Sequence, residues 1–167
     1  FVVANDEQNY MIVQYNIENV NNPFYLNVFS SFPITFETIN DIDIYGDILY
    51  LATSDGLLSA NYKEDILSFS SSWELLYDMS DVSSLLSNDN EILISYANNI
   101  VSLTTGNTYT LSEIDNIVNI YFSTISNEIT ILNNQSVFTY NTLSSDLTEH
   151  EIPNEITPLL EFSPDNY

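Results

Sequence analysis

Cysteine is absent from this 167-residue chain, and basic residues almost are, with one Lys or Arg against 24 Asp or Glu. Without cysteine there are neither disulfides nor thiolate metal sites. The formal net charge of −23 repels phosphate, so we expect no nucleic-acid partner and no anionic membrane partner. No apolar run reaches the roughly 18 residues that cross a bilayer, and we expect no membrane insertion.

Glycine is also scarce, with three residues in the chain. Two of them, Gly46 and Gly56, fall in the stretch "IYGDILYLATSDGLLSA" (44–60). Its short apolar runs alternate with polar residues and end at Gly, Asp or Ser, which is typical of strands joined by tight turns. Glycine suits such turns because they use positive φ. Helical spacing is hard to find elsewhere, so the sequence favours an all-β fold.

The same hairpin pattern recurs along the chain. The segment 47–62 turns at Ser54-Asp55-Gly56, 91–105 turns at Asn98-Asn99, and 128–142 turns at Asn133-Asn134. Residues 1–16 fit a hairpin with a longer turn. Apolar segments precede the later hairpins at 39–46, 82–88 and 117–124, and a fourth strand follows each hairpin at 24–32, 72–78, 107–113 and 147–153. Four short strands per unit of roughly 40 to 45 residues indicate a β-propeller.

We therefore predict an all-β β-propeller of four-stranded antiparallel blades, about four of them in this chain. The predicted divisions are a partial blade at 1–35, blades at 36–80, 81–114 and 115–153, and a closing or next-blade strand at 154–167. The chain is then either a closed four-bladed ring or a fragment of a larger propeller. Because it starts at Phe1 rather than Met, we expect a processed chain or a piece of a longer one.

The segment "INDIDIYGDILYLATSDGLLSANY" (39–62), followed by "SW" (72–73), resembles the repeats of a particular group of propellers. These are the two-component-regulator propellers and the PorZ-like propellers of the type IX secretion system. Their phrase "ly.aT..Gl" is matched by Leu49, Tyr50, Ala52, Thr53, Gly56 and Leu57. Asn99 or Gln135 replaces Gly56 in the later repeats. The resemblance implies a periplasmic or cell-surface sensing or scaffolding module without catalysis of its own.

The residue types needed for most catalytic constellations are missing, since the chain has one His, one Lys or Arg and no Cys. We expect no enzyme activity, but an exported scaffold or binding propeller at the cell surface, outside the cell or in the periplasm. Its partner would be a protein or surface component, or the remaining blades of a larger chain. The alternatives are a carbohydrate-active or calcium-dependent propeller that uses channel carboxylates, and a repeat block of a surface adhesin or filament.

Asp41 and Asp43 are the most distinctive acidic residues. They lie two apart on a predicted strand, so they point to one face while Ile42 and Ile44 point to the other. One interpretation is a strand end open to water in the central channel. The other is a Ca²⁺ site that shares Asp47, with calcium as the one cofactor considered. Solubility or adaptation to a saline medium explains the overall acidity, and the functional alternative is binding of divalent cations or of a basic partner.

Overall fold

The computed structural model describes residues 1–6, 9–17, 23–78, 80–88, 90–122 and 127–150. Within these ranges the chain forms β-strands and one 3-10 turn (Ser70–Ser72), and no α-helix. The same ranges contain no helix with the length and apolarity to cross a membrane. The strands are β1 (Val2–Asn5), β2 (Tyr10–Asn16), β3 (Phe24–Phe29), β4 (Ile39–Tyr45), β5 (Ile48–Thr53), β6 (Gly56–Asn61), β7 (Glu74–Tyr77), β8 (Val82–Ser87), β9 (Ile92–Tyr96), β10 (Asn99–Ser102), β11 (Thr108–Thr110), β12 (Asn119–Phe122), β13 (Glu128–Leu132), β14 (Val137–Asn141) and β15 (Leu147–His150).

These strands form four antiparallel sheets in the described residues, and each sheet is continuous in sequence. Sheet 1 has the order β1-β2-β3, sheet 2 β4-β5-β6-β7, sheet 3 β8-β9-β10-β11 and sheet 4 β12-β13-β14-β15. The predicted all-β architecture of repeated four-stranded antiparallel units is thus confirmed. The last residues of the predicted strand 147–153 and the whole of 154–167 lie outside the described residues.

Three hydrophobic clusters join consecutive sheets. Ile12 of sheet 1 packs with Leu51 of sheet 2, Leu57 of sheet 2 with Ile94 of sheet 3, and Ile100 of sheet 3 with sheet 4. Alternate residues of the central strands, such as Ile129 and Ile131 of β13, enter these clusters, because successive side chains point to opposite faces of a sheet. The sheets therefore stack face to face in chain order, as blades of a propeller do.

The turns inside the sheets use backbone conformations that differ between repeats. Gly46 lies between β4 and β5 with φ +62°, and Gly56 has φ +147°, so the positive φ expected of both glycines is confirmed. In sheet 3 the predicted turn at Asn98-Asn99 is wrong by one residue. Asn99 already pairs with Tyr96 in the hairpin, and Ala97 is the residue with positive φ, at +49°.

Candidate functional site

The first strands of sheets 2, 3 and 4 lie beside one another, β4 against β8 and β8 against β12. They are therefore the innermost strands of the stack. In β4 and β8 the register shifts at an extra residue just before Asp41 and Ser84. Asn119 of β12 occupies the matching place in sheet 4. The fold thus brings one polar residue from each of sheets 2, 3 and 4 to the equivalent position in its innermost strand.

Hydrogen bonds link these three residues across the sheets. Asp41 Oδ2 accepts from the Leu85 N–H at 2.8 Å and lies 3.3 Å from Ser84 Oγ. Ser84 Oγ lies 2.6 Å from Asn119 Oδ1 and is itself buried. Its single hydroxyl hydrogen can serve only one of these two acceptors at a time. Asp41, Ser84 and Asn119, here called the polar row, therefore link sheets 2, 3 and 4. They also provide hydrogen-bond partners for buried polar groups.

The three aspartates considered for calcium have separate partners. Asp43 Oδ1 accepts from the Ile44 N–H of its own strand at 2.8 Å, while Asp41 bonds to sheet 3. Asp47 forms an ion pair with Lys63, and its hydrogen bond and charge raise the Lys63 pKa. No cluster of three or more His, Cys, Asp or Glu in the described part of the chain could hold a metal ion. Calcium binding by Asp41, Asp43 and Asp47 stays a prediction.

One side of the stack, here called the turn face, carries the central hairpin turns and the connections between sheets. Its described residues are 6, 9, 30–38, 54–55, 78, 80–81, 97–98, 111–118 and 133–136. Backbone hydrogen bonds join turns to connections, as in Ser54 N–H to Thr38 O at 3.1 Å and Ile117 N–H to Ala97 O at 2.7 Å. In an antiparallel sheet the second turn and the exit of the fourth strand lie at the same end. The turn face is therefore a repeated feature of the topology.

A cleft of about 390 Å³ opens on the turn face where sheets 3 and 4 meet, and we call it the acidic cleft. It lies between the connection at 113–116 and the hairpin turn at 133–136. Its lining residues are Glu113, Asp115, Asn116, Asn133, Asn134, Gln135, Ser136, Phe138, Leu147 and Glu149. Three of these are carboxylates, most of the others are polar, and Phe138 and Leu147 are apolar.

The walls of the acidic cleft are fixed by hydrogen bonds. Asn133 Oδ1 accepts from the N–H groups of Gln135 and Ser136, at 2.9 and 2.7 Å, which holds the turn in shape. The Ser136 hydroxyl donates to Glu149 Oε1 at 2.6 Å. Asn116, on the opposite wall, has φ +54°, a conformation that Asn adopts more readily than most residues. The cleft is thus largely preformed.

A second cleft, of about 610 Å³, opens on the turn face between sheet 1 and the connection to sheet 2. We call it the aromatic cleft, since Tyr10, Phe32 and Phe36 line it together with Asn5, Asn9, Ser30, Ser31, Ile34, Thr35 and Glu37. The Phe32 ring packs on Phe36 and on the buried Trp73, with centroids 5.1 and 5.3 Å apart. The Ser54 hydroxyl accepts from the Glu37 N–H at 2.9 Å and anchors the connection.

Sequence reasoning did not find either cleft. Each is made by two segments from different strands or sheets, such as 113–116 and 133–136, and their contact depends on how the sheets stack. The nearest signal in the sequence was the run of amides at Asn133 and Asn134, which we interpreted as turn chemistry. That interpretation is confirmed for Asn133, whose side chain holds the turn.

No family model and no curated protein matches this sequence. Solved structures do resemble it. The AfRom2 CNH domain has a TM-score of 0.62 at 12% identity over 87% of this chain. The extracellular domain of the putative hybrid two-component system BT4673 from B. thetaiotaomicron has a TM-score of 0.60 at 14% identity over 90% of this chain. PorZ, a surface component of the type IX secretion system of Porphyromonas gingivalis, has a TM-score of 0.50 at 16% identity over 89% of this chain.

The fold is that of a β-propeller. BT4673 and PorZ are propeller-like proteins, so the resemblance predicted from residues 39–62 is confirmed at the level of the fold. This chain spans 48% of the AfRom2 CNH chain, 23% of the BT4673 chain and 20% of the PorZ chain. At such identities the similarity shows only the propeller architecture. It does not show that this chain shares the functions of those proteins.

Proposed function

We propose that this protein is an exported, non-catalytic propeller that binds a protein partner or a cell-surface component through its turn face. The observation that carries the proposal is that the acidic cleft and the aromatic cleft open on this face. Propellers and other scaffolds commonly bind through loops placed on a rigid framework. Two structural neighbours support an exported location, because one is an extracellular domain and the other a bacterial surface component.

The chemistry of the acidic cleft suggests what kind of partner fits. Glu113, Asp115 and Glu149 place three carboxylates around it, and the one basic side chain of the protein, Lys63, is paired with Asp47 at the opposite side of the stack. The cleft therefore has a negative potential that attracts a basic segment and speeds its association. Phe138 and Leu147 add an apolar floor that an aliphatic or aromatic anchor can cover.

A peptide-display selection on the immobilised protein tests this proposal. We expect the selected peptides to combine Lys or Arg with an aliphatic or aromatic residue. The paired substitution Glu113→Gln and Asp115→Asn should weaken their binding tenfold or more at low salt. The matched control is Glu64→Gln with Asp146→Asn, which removes the same charge from exposed positions at the opposite side. This control should leave the affinity within about twofold.

Two results would overturn the proposal. One is a set of selected peptides that bind equally well to the cleft variant and to the wild type. The other is turnover of a glycan substrate by the purified protein at a rate far above the uncatalysed reaction, since that would require catalysis rather than binding alone.

A further inference from the structure

The aromatic cleft has a chemistry that the acidic cleft lacks. Three rings line it, of which Tyr10 comes from the start of β2, while Phe32 and Phe36 come from the connection between β3 and β4. Each ring is half-buried and packs at the edge of the cluster that joins sheets 1 and 2. The volume of about 610 Å³ lies within the range of small-molecule sites.

Packing fixes the ring of Phe32. It contacts the buried Trp73 ring edge to face, with centroids 5.3 Å apart and an interplanar angle of 66°. Trp73 is itself held in place, because its indole N–H donates to Leu67 O at 3.0 Å. A site whose rings are already in position loses little conformational entropy when a ligand binds.

The connection that carries Phe32 and Phe36 is attached to sheet 2. The Ser54 hydroxyl oxygen accepts the N–H groups of Glu37 and Thr38, at 2.9 and 3.3 Å. In return the Ser54 N–H donates to Thr38 O at 3.1 Å. The exposed Glu37, which also lines the cleft, is therefore held beside Phe36.

The relative orientation of the rings indicates the shape of the ligand. Phe32 and Phe36 are tilted by 52° with their centroids 5.1 Å apart, so they form a corner rather than one flat platform. A flat platform suits the face of a cyclic ligand, whereas a corner suits a compact group that has apolar surface on several sides. The methyl groups of a trimethylammonium cation give it this form.

The charge around the cleft indicates the sign of the ligand. Glu37 is the one carboxylate among the described lining residues, and none of those residues is basic. Asp6 lies in the neighbouring turn, where its carboxylate accepts the Asn9 N–H at 2.9 Å. The whole chain carries a net charge of −23. The cleft therefore attracts cations and repels anions.

Aromatic rings favour one kind of cation. The face of an aromatic ring carries negative partial charge, and quaternary ammonium groups bind against such faces. A primary ammonium group is compact and strongly hydrated, so its transfer from water to a ring costs more hydration free energy. The methyl groups of a quaternary ammonium also bury apolar surface against the rings.

We propose that the aromatic cleft binds a quaternary ammonium cation of the choline type. Tyr10, Phe32 and Phe36 contact its methyl groups, and the Glu37 carboxylate supplies the opposite charge. This site goes beyond the proposed function, because it takes a small cation and requires neither the acidic cleft nor a protein partner. The group can come from free choline or from a phosphocholine headgroup. Since Glu37 repels phosphate, we expect free choline to bind more tightly.

Calorimetric titration of the whole chain with choline tests this site. The control probe is 3,3-dimethyl-1-butanol, which has the shape of choline without its charge. We expect choline to bind about tenfold more tightly than this alcohol, because the alcohol makes no cation–π interaction. Phosphocholine is the third probe. Tighter binding of phosphocholine than of choline would support the same site and identify a headgroup as the source.

Two substitutions locate the site. At low salt, Phe36→Leu should weaken choline binding about tenfold and Glu37→Gln about threefold, through loss of a ring and of a charge. The matched controls, Phe69→Leu and Glu64→Gln, change exposed residues outside the cleft. They should leave the affinity within about twofold, because distant charges are screened. Circular dichroism checks that each variant is folded, and Glu37→Gln alters an exposed side chain without changing its shape.

Three results would overturn the proposal. The first is equal affinity for choline and for the neutral alcohol, since the cleft would then recognise apolar shape alone. The second is tighter binding of a neutral disaccharide such as maltose. The third is the absence of choline binding, or choline binding that neither Phe36→Leu nor Glu37→Gln weakens.

Discussion

At the scale of the residue, Gly56 is constrained twice. Its φ of +147° is a conformation that L side chains rarely adopt, and an added Cβ would lie 2.6 Å from the Tyr77 carbonyl oxygen. We expect Gly56→Ala to lower the free energy of unfolding by about 2–4 kcal/mol, from backbone strain and overpacking together. Urea unfolding monitored by circular dichroism measures the change.

Gly106 provides the control for this substitution. It also has positive φ, +75°, but an added Cβ would meet no atom within 4 Å. Gly106→Ala should therefore cost only the backbone strain, about 1–2 kcal/mol. If the two variants lose the same free energy of unfolding, the close approach of β7 to Gly56 does not contribute to the effect of Gly56→Ala.

The side chain of Asp41 gives a second prediction at this scale. Its carboxylate accepts the N–H groups of Ile42 and Leu85, both at 2.8 Å, so Asp41→Ala leaves two half-buried donors without that acceptor. We expect a loss of about 1–3 kcal/mol of stability. Asp43→Ala should cost less, because the Asp43 carboxylate bonds within its own strand. If Asp43→Ala proves the more destabilising in urea unfolding, this assignment is wrong.

Part of this residue-level detail could be predicted from the sequence. The glycines at 46 and 56 were expected at positive φ because they separate short runs in which apolar and polar residues alternate. The contact between Gly56 and Tyr77 could not be predicted, since it depends on the register shift between β6 and β7. The bond from Leu85 to Asp41 was missed for a similar reason. It joins residues of different sheets, and no local pattern encodes it.

At the scale of the element, the sheets should differ in how easily they open. Every residue of β9 except Tyr96 is buried, whereas β3 is exposed at all positions except Phe29. Local opening is easier where few apolar contacts are broken. We therefore expect backbone amides of β9 and β10 to exchange at least tenfold more slowly with deuterium than those of β2 and β3.

The opposite order of exchange would contradict this expectation, because it would mean that β2 and β3 are better protected than the exposure of β3 indicates.

The strands themselves were largely predictable, because a strand with one face in a cluster alternates in hydrophobicity. The hairpin β13–β14 illustrates this, with alternate residues such as Ile129, Ile131 and Phe138 buried. The extra residues that shift the register in β4 and β8 were not predictable from that alternation. These extra residues determine where Asp41 and Ser84 lie along the innermost strands, and they thereby allow the polar row to form.

At the scale of the whole molecule, the acidity determines which partners the protein attracts. The charge of −23 favours a basic partner and keeps copies apart at low salt. The sequence predicted the propeller and its antiparallel units from their period. It could not predict the acidic cleft, because Glu113 and Glu149 converge only when sheets 3 and 4 stack.

The central claim is that the turn face is the binding surface, and a titration followed by amide chemical shifts in NMR tests it most directly. A ¹⁵N-labelled chain would be titrated with a peptide from the display selection. We expect the largest shift changes at 113–116 and 133–136, with little change at the opposite side around Asp47 and Lys63. Shift changes centred on Asp47 and Lys63 would contradict the claim.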